Sequence, residues 1–437
     1  MLKVVKFGGS SLASGEQFAK VKDIVESDSA RRVVVVSAPG KRFKEDNKVT
    51  DLLYICHAHL KYNASCDDIW EKIEDRYREI IASCGLHLDI EPFFAEIRAN
   101  LKKRTSADYI ASRGEYLNAL LMADYLGYTF VDAASWLHFR YDGKVDFEQS
   151  YAALREIASK CEGMVIPGFY GVMPDGSIKT FSRGGSDVTG AIAAAALDAD
   201  SYENWTDVSG MLMADPRIVD NPKPIERITF AEMRELSCMG ADVLHAETVF
   251  PVRQKNIPLY IKNTNDKNAP GTLIMEHYED DDRGSFITGI SGKKHFTILT
   301  VSKTLMSEQV GFIRRTLEIV ERHDLTVEHI PSSVDSFSLV IESKQLTNCL
   351  HALISEIEQE CRPDRITVTE GISLIAVVGR RMAMNIGVSG KIFETLGQHG
   401  INIRMIEQGA DEINIIFGVE DGDFNRAIRA LYETLTA

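Results

Sequence analysis

At 437 residues the chain is longer than a single hydrophobic core usually serves, so we expect two or three domains. Its composition, 44% hydrophobic and 26% charged, is that of an ordinary soluble globular protein. The net charge of −15 argues against binding to nucleic acid or to an anionic membrane, and an anionic substrate would need cations placed close to it.

The first predicted element is a strand at residues 2–7, and this start lacks the basic and apolar segments of a signal peptide. We therefore expect a cytoplasmic protein. The seven cysteines are widely spaced and lack the Cys/His spacing of a zinc site, so we expect reduced thiols and no metal held by the chain alone. No stretch approaches the roughly 20 apolar residues that a membrane span requires.

Strand-like and helical patterns alternate over residues 1–265, as in an α/β domain with a buried, largely parallel sheet. Further strands are predicted at residues 33–37, 164–167 and 259–262. Apolar residues at helical spacing predict three helices within residues 67–126, the first with Asp67 or Asp68 at its N-cap. This helical segment could form a lid or one wall of a substrate site.

Asn, Asp, Pro and Gly accumulate at residues 263–284, next to an acidic run at 279–282, and this is the best domain boundary. Beyond it a βαββα pattern of roughly 70 residues occurs twice. We therefore predict one domain at residues 1–280 and two small domains at 285–370 and 371–437, which could also interleave. The predicted elements of the two copies are residues 296–301, 310–323, 326–330, 336–341 and 346–360, and then 372–378, 388–399, 401–407, 412–419 and 424–435.

A Lys-Phe-Gly-Gly-Ser-Ser turn at residues 6–11 follows the first strand and precedes a helical pattern at residues 17–25. Glycines let backbone N–H groups approach an anion closely, and the lysine adds a compact positive charge. This pattern is typical of a phosphate-binding turn, although a plain Gly-Gly turn after an edge strand is the alternative. Neither a Walker loop nor a dinucleotide fingerprint is present.

A second Gly-Gly turn reads Phe-Ser-Arg-Gly-Gly-Ser-Asp at residues 181–187 and leads into a predicted helix at residues 188–197. Helix N-termini favour anions. Arg183 could hold a carboxylate in bidentate fashion, and Asp187 could organise Mg²⁺ or the lysine of the first turn. A purely structural turn is an equal alternative.

Two further positions could bind substrate. Gly114 lies inside the third helix, where glycine costs about 1 kcal/mol relative to alanine, so we expect another group to approach it closely. Glu115 could then pair with an ammonium group, although a solvated surface glutamate is the simpler interpretation. Thr50 could bind substrate, and capping of the helix that follows is slightly favoured.

A polar turn at residues 206–210 precedes a proline-stiffened loop that ends in Arg217. Such a loop could wrap a nucleotide, with Arg217 near its phosphates. Taken alone, it would pass for an ordinary surface loop.

These motifs, in this order and over essentially the whole chain, closely resemble the aspartokinase family. The resemblance implies a three-layer α/β amino-acid-kinase (carbamate-kinase-like) domain with a mainly parallel sheet, followed by two ferredoxin-like βαββαβ ACT domains. The implied reaction is in-line transfer of the γ-phosphoryl group of ATP, with Mg²⁺, to the β-carboxylate of L-aspartate. This reaction is the first step of lysine, threonine and methionine biosynthesis.

The resemblance also implies roles for individual residues. Lys6 would stabilise the charge of the transferring phosphoryl group, and Asp187 would organise the reacting end. Glu115 would bind the α-ammonium group of aspartate and Arg183 its α-carboxylate. The residues implied in aspartate binding are Thr50, Glu115, Arg183 and Ser186. The residues implied in ATP binding are Lys6, Phe7, Gly8, Gly9, Thr206, Asp207, Leu212 and Arg217.

Two positions depart from the family pattern. Asp242 stands where many relatives carry a lysine or a small residue near the nucleotide, and a carboxylate there would repel phosphates. Ser182 replaces a glycine that usually precedes the second turn. We expect these differences to affect affinity and not the identity of the reaction.

The first repeat of the tail matches the family's effector-binding region. Exposed N–H groups at the start of its helix could receive the carboxylate of an amino acid, and Glu328 could take an ammonium group, which favours lysine over threonine as inhibitor. It is equally plausible that Glu328 is simply an outward-facing strand residue without a binding role. The implied effector residues are Met306, Gln309, Gly311, Phe312, Ile313, Val327, Glu328 and Ser333. The resemblance also implies a homodimer or a dimer of dimers.

Three other functions compete with this one. A glutamate or acetylglutamate kinase is disfavoured by the helical insertion and the double tail. A catalytically silent amino-acid sensor is the alternative from another class. A bifunctional enzyme with homoserine dehydrogenase is not expected, because no dinucleotide fingerprint occurs.

Overall fold

The computed structural model describes residues 1–182, 184–241, 244, 246–278, 287–380, 382, 385–409 and 413–436. These residues form two compact units. The first unit contains residues 1–211, 224–230 and the described residues within 243–279. The second contains residues 212–223, 231–241 and the described residues of the tail after position 280.

The strands are named in chain order. They are β1 (Lys3–Phe7), β2 (Arg31–Val36), β3 (Thr129–Phe130), β4 (Met164–Pro167), β5 (Tyr170–Val172), β6 (Ile178–Thr180), β7 (Ser201–Thr206), β8 (Met211–Leu212), β9 (Pro224–Ile225), β10 (Arg227–Thr229), β11 (Leu259–Asn263), β12 (Thr272–Met275), β13 (Gly289–Ser302), β14 (Ser336–Glu342), β15 (Arg365–Val378), β16 (Met405–Glu407) and β17 (Asn414–Glu420).

The α-helices are named in the same way, and short 3₁₀ turns lie at Ser10–Leu12, Ala133–Ser135, Ala246–Val249 and Met306–Glu308. They are α1 (Gly15–Glu26), α2 (Val49–Lys61), α3 (Asp67–Cys84), α4 (Glu91–Asn100), α5 (Ala107–Leu126), α6 (Phe147–Ala158), α7 (Gly185–Ala196), α8 (Phe230–Cys238), α9 (Phe250–Gln254), α10 (Phe312–Arg322), α11 (Ser343–Leu346), α12 (Leu350–Cys361), α13 (Val388–Gln398) and α14 (Phe424–Leu435).

The first unit is built on an eight-stranded sheet with the order β10-β12-β11-β7-β1-β2-β4-β3. The pairs from β11 to β3 are parallel, whereas β12 runs antiparallel to β11. The predicted mainly parallel α/β sheet is therefore confirmed. The loops that follow β1, β2, β4 and β7 leave the same edge of the sheet, which is where open α/β sheets bind ligands.

The predicted helical segment is also confirmed, as helices α3, α4 and α5. Its core includes Phe94, whose ring lies edge-on to Trp70 at a centroid distance of 6.5 Å and tilted to Tyr77 at 6.2 Å. The predicted N-cap of α3 is wrong. Cys66 occupies that position, and Asp67 lies in the first turn, where its charge still suits the positive end of the helix dipole.

The tail carries a five-stranded antiparallel sheet with the order β14-β13-β15-β17-β16. Residues 289–293 of β13 pair with residues 374–378 of β15, whereas residues 296–302 pair with β14 and with residues 365–372 of β15. The second half of β15 then pairs with β17 of the second repeat. The long strands β13 and β15 thus join the two repeats into one sheet, and position 371 lies inside β15.

Two predicted strands of the tail differ from the structure. Residues 326–330 form only an isolated bridge, in which the N–H of Glu328 donates to Val340 and the N–H of Val340 donates to His329. Pro331 has no N–H group to extend this ladder. The strand predicted at residues 401–407 is reduced to β16 (Met405–Glu407).

Within the described residues, no helix has both the length and the hydropathy needed to cross a membrane.

Candidate active site

A charged cluster lies where β1 meets β7. Lys6 pairs with Asn204 in the sheet register, and only 7% of Lys6 is exposed. Its Nζ lies 2.6 Å from Oδ1 of Asp187 and 3.4 Å from Oδ1 of Asn204. Nδ2 of Asn204 donates to the same Asp187 oxygen at 2.9 Å. The ammonium group is therefore held in one place by a carboxylate and an amide, and the structure brings together the two residues predicted to be catalytic.

The turn after β1 offers backbone N–H groups to an anion. Gly8 is not one of the donors, because its N–H donates to the carbonyl of Trp205 at 3.0 Å. The N–H groups of Gly9 and Ser10 have no acceptor among the described residues, and they open the 3₁₀ turn Ser10–Leu12. Such free N–H groups next to a lysine can cradle a phosphate.

The side chain of Phe7 lies in the core, so the role of this residue in ATP binding stays a prediction that the ring does not support. The ring is completely buried and stacks on Trp205 with the centroids 6.1 Å apart. Its carbonyl accepts a hydrogen bond from Ser37. The apolar end of β1 thus packs in the core and fixes the direction in which the turn leaves the sheet.

The loop after β2 lies directly on this turn. The N–H of Gly40 donates to the carbonyl of Gly9 at 2.8 Å. A Cβ on Gly9 would lie 2.9 Å from the carbonyl oxygen of Ala38, and a Cβ on Gly40 would lie 2.6 Å from the backbone of Gly9. Both positions require glycine because the two backbone segments touch.

The second Gly-Gly turn opens helix α7. Gly184, with φ of 55°, is the N-cap, and no side chain caps the helix. Asp187 lies in the first turn, and Ser186 is buried against Gly168, where a Cβ would lie 2.6 Å from the Ser186 Oγ. The first turn of α7 therefore lies beside Lys6, which contacts the side chain of Asp187. Arg183 lies outside the described residues.

Phe169 is a neighbour of this turn that the sequence did not indicate. Its φ of 80° is unusual for a bulky residue, and its N–H donates to Oγ1 of Thr189 at 3.1 Å. A Cβ on Gly185 would lie 2.6 Å from the ring. Strained backbone of this kind is often found at binding sites.

Glu115 is a buried carboxylate on α5 that faces Ala38 at the end of β2. It is 4% exposed, and its Oε2 has no hydrogen-bond partner. Burial raises the pKa of the Glu115 carboxyl group to about 8, against a smaller opposing effect of the backbone N–H of Ala38. A buried acceptor without a partner suits a cationic ligand group, and the alternative of a solvated surface glutamate is wrong.

The close approach predicted at Gly114 is also present. A Cβ there would lie 2.8 Å from the Cβ of Ala38 and 3.1 Å from Cδ1 of Leu53. Thr50 is half-buried at the second position of α2, and the N-cap of that helix is Lys48, without a side-chain hydrogen bond. The predicted capping role of Thr50 is therefore wrong.

The predicted nucleotide loop is divided between the two units. Thr206 ends β7 in the first unit, and its hydroxyl donates to Asp207 at 3.2 Å. Leu212 and Arg217 belong to the second unit. Within it, Arg217 is largely exposed and pairs with Asp215 at 2.7 Å, and the hydrogen bond between them lowers the pKa of Asp215 below its ordinary value.

Five of the predicted effector residues lie at or just before the start of α10, and they are Met306, Gln309, Gly311, Phe312 and Ile313. Gly311, with φ of 79°, is the N-cap of this helix, and the side chains of Gln309, Glu328 and Ser333 are exposed. Met306 and Phe312 are instead buried in the core of the tail, so their side chains support the loop and do not offer a contact surface. The residues that pack partly against the same core are Ile313 and Val327.

Three features of the site were missed by sequence reasoning. They are Asn204, which bridges Lys6 and Asp187, the strained Phe169, and the Ala38–Gly40 segment. Two of them carried a usable signal, because Gly-Phe directly follows the apolar strand β4 and Ala-Pro-Gly follows β2 after one serine. Residues just after the carboxyl ends of parallel strands are the ones to inspect. Asp242 lies outside the described residues.

Comparison with known proteins covers the whole chain. The model of the amino acid kinase family matches residues 1–263, and that of an ACT domain matches residues 375–435. Aspartokinase 3 of Bacillus subtilis is 38% identical over 451 residues, which is 100% of this chain and 99% of the relative.

Solved structures agree with these matches. The crystal structure of aspartate kinase from Clostridium acetobutylicum has a TM-score of 0.92 and 48% identity, and the match covers 99% of both chains. Escherichia coli aspartokinase III has been solved with aspartate and ADP and also with lysine and aspartate. Both structures give a TM-score of 0.78 over 100% of both chains, at 27% and 28% identity.

Proposed function

Because this chain belongs to the amino acid kinase family and, within it, to the aspartokinases, we propose that it phosphorylates the β-carboxylate of L-aspartate. ATP is the phosphoryl donor, and the products are 4-phospho-L-aspartate and ADP. The observation that carries the proposal is the pairing of two features at one sheet edge. Lys6 is fixed beside a turn with free N–H groups, and the buried Glu115 lacks a partner for one oxygen.

The nucleotide phosphates would bind at the turn after β1. Lys6 supplies the positive charge, and Gly9 and Ser10 supply N–H groups, while Gly8 has no side chain that would obstruct the approach. Thr206 and Asp207, at the end of β7, are on the same edge of the sheet. Leu212 and Arg217 remain predictions that depend on the resemblance alone.

Aspartate would bind beside Glu115. Its α-ammonium group would fill the missing hydrogen bond of Oε2 and favour the ionised carboxylate. Arg183 would hold the α-carboxylate, and Thr50 and Ser186 would contribute hydroxyl groups. This orientation leaves the β-carboxylate free to face the γ-phosphoryl group.

For this reaction the protein needs mainly to align the two substrates and to stabilise the negative charge of the phosphoryl group. A carboxylate is already a deprotonated nucleophile, so no general base is required. Lys6 would stabilise the charge on the transferring group, and Asp187 would keep the lysine in place.

Mg²⁺ would arrive with ATP. No cluster of three or more ligating side chains occurs in the part of the chain that the structure describes. Mg²⁺ commonly uses one or two carboxylates together with substrate phosphates, and Oδ2 of Asp187 has no hydrogen bond to any described residue. Asp187 therefore fits as the protein ligand, and the ion would neutralise phosphate charge there.

The tail would bind lysine as a feedback inhibitor. Glu328 is exposed for an ammonium group, and the start of α10 offers N–H groups to a carboxylate. A second copy of the chain would cover this part of the tail, because exposed apolar side chains flank the start of α10 and Glu328 in the sequence. These side chains are Leu305, Val310, Ile330 and Val334, with exposures of 57%, 95%, 38% and 68%.

The proposal is tested by ADP release from Mg-ATP with L-aspartate, L-glutamate or N-acetyl-L-glutamate as acceptor, each with and without L-lysine. We expect aspartate to be the only one of the three acceptors that supports turnover, and we expect lysine to inhibit that turnover. Turnover with either of the other acceptors but not with aspartate would contradict the proposed substrate. Binding of lysine by folded protein that forms no ADP would instead indicate a silent sensor.

A further inference from the structure

The loop between β2 and α2 contains a buried carboxylate. The side chains at residues 41–45 are exposed, whereas Asp46 is only 8% exposed. Oδ2 of Asp46 accepts hydrogen bonds from the backbone N–H and from Nε of Arg42, both at 3.0 Å. Arg76, on the inserted helix α3, donates from Nη2 to the same oxygen at 2.6 Å. Asp46 thereby fastens the loop to α3.

Arg76 is also linked to the phosphate turn through Gly40. Its Nη1 donates to the carbonyl of Gly40 at 3.0 Å, and the N–H of Gly40 donates to the carbonyl of Gly9 at 2.8 Å. The backbones of the two glycines touch without any side chain between them. A continuous set of contacts therefore leads from helix α3 to the turn that would hold ATP.

The same loop also borders the proposed aspartate site. The N–H of Val49 donates to the carbonyl of Pro39 at 3.1 Å, and Thr50 is the next residue. Cγ1 of Val49 lies 3.5 Å from where a Cβ on Gly114 would be, and Glu115 follows Gly114. A shift of this loop would therefore move groups at both substrates.

Burial and charge make the contact specific to arginine. Arg76 is 5% exposed, and burial lowers the pKa of its guanidinium group. Burial alone would raise the pKa of Asp46, but hydrogen bonds from Arg42 and the charge of Arg76 bring it well below the ordinary value. The planar fork of arginine can donate to a carboxylate and to a carbonyl at the same time, whereas a lysine ammonium group is a single point.

On the basis of the proposed function, we infer that Arg76 and Asp46 are positioning residues for phosphoryl transfer. They hold Ala38–Gly40 against the phosphate turn and keep Val49 and Thr50 beside Glu115. Neither residue belongs to the proposed ATP site or the proposed aspartate site. An ion pair that served stability alone would change the amount of folded protein, whereas a positioning pair changes the turnover of each folded molecule.

The test compares Arg76→Met, Arg76→Lys and Asp46→Asn with the control Arg78→Met. Arg78 lies on the same helix, but its guanidinium group pairs with Glu91 at 2.8 Å, away from the loop. Turnover is normalised to the folded fraction, which is read from tryptophan fluorescence. Trypsin cleavage within residues 41–48 reports whether the loop has been released.

We expect Arg76→Met and Asp46→Asn to lower kcat by about 10- to 100-fold per folded molecule while each KM changes by less than about threefold. The kcat of Arg76→Lys should lie between those of these variants and that of wild type, because lysine retains a donor for Asp46 but not for Gly40. Cleavage of the loop should accelerate in these variants and be unchanged in Arg78→Met.

Two results would overturn the inference. One is a kcat for Arg76→Met, per folded molecule, equal to that of Arg78→Met. The other is unchanged trypsin cleavage in both Arg76→Met and Asp46→Asn. If wild type itself fails to use aspartate, the proposed function is wrong, but the cleavage comparison still decides whether Arg76 and Asp46 hold the loop.

Discussion

The replacement Glu115→Gln tests the physical basis of the aspartate site. Burial raises the pKa of Glu115 from its ordinary 4.5 to about 8, so the folded protein holds a proton that the unfolded chain releases. The folded state binds more protons between these values, so the stability of the wild type falls as pH rises from about 5 to 8. Glutamine cannot ionise and removes this dependence.

The magnitude is set by the size of the shift. One pKa unit corresponds to about 1.4 kcal/mol, so the stability of Glu115→Gln relative to wild type should rise by about 3 kcal/mol between pH 5.5 and 7.5. The difference in stability between Glu115→Gln and wild type at a single pH is less informative, because the new amide N–H can cost about 1 to 3 kcal/mol if it lacks an acceptor. Aspartate-dependent turnover should be lost at every pH.

Urea unfolding at several pH values measures this difference. All three tryptophans, Trp70, Trp136 and Trp205, are buried in the first unit, so their fluorescence reports the unfolding of that unit. Glu148→Gln, at an exposed position on α6, gives the effect of the same exchange without burial. A constant difference between Glu115→Gln and wild type from pH 5.5 to 7.5 would refute the reasoning.

Three further predictions follow from the same contacts. Lys6→Ala should lower kcat on the order of 10² to 10³-fold and leave lysine binding by the tail intact, and a kcat within threefold of wild type would contradict its role. The KM for aspartate should fall about tenfold per pH unit up to pH 8 as Glu115 ionises, whereas a flat profile from pH 6 to 8 would contradict this. Gly114→Ala should destabilise the first unit in urea, because its Cβ would lie 2.8 Å from that of Ala38. Gly390→Ala, in the second unit and with open space around it, should raise the free energy of unfolding measured by far-ultraviolet circular dichroism by up to about 1 kcal/mol. Stabilisation by both exchanges would contradict the prediction, because it would mean that the protein accommodates a Cβ at Gly114 without loss of stability.

Local patterns predicted much of the fold. Strand β4 has the predicted bounds, and helices α3 to α5 follow from apolar spacing alone. The strand predicted at residues 326–330 is reduced to an isolated bridge to β14, because Pro331 cannot donate the hydrogen bond that would extend it. The grouping of residues 212–223 and 231–241 with the tail could not be predicted, because it depends on contacts that are distant in sequence.

The site residues that could be predicted are charged side chains that lie next to glycines. Lys6 and Asp187 stood out because each accompanies a Gly-Gly turn, and the cost of glycine in a helix pointed to the crowding at Gly114. Asn204 could not be predicted, because its role depends on the register between β1 and β7. The Arg76–Asp46 contact joins residues 30 positions apart in segments that looked like an ordinary loop and helix.

The central claim is that the β-carboxylate of aspartate accepts the phosphoryl group, and trapping with hydroxylamine tests it most directly. Acyl phosphates react with hydroxylamine to give hydroxamates, and the carbon that carries the new group can be identified by mass spectrometry. With Mg-ATP and L-aspartate we predict the β-hydroxamate in an amount equal to the ADP formed, with its formation suppressed by lysine. ADP formation without a hydroxamate, or formation of the α-hydroxamate, would contradict the account.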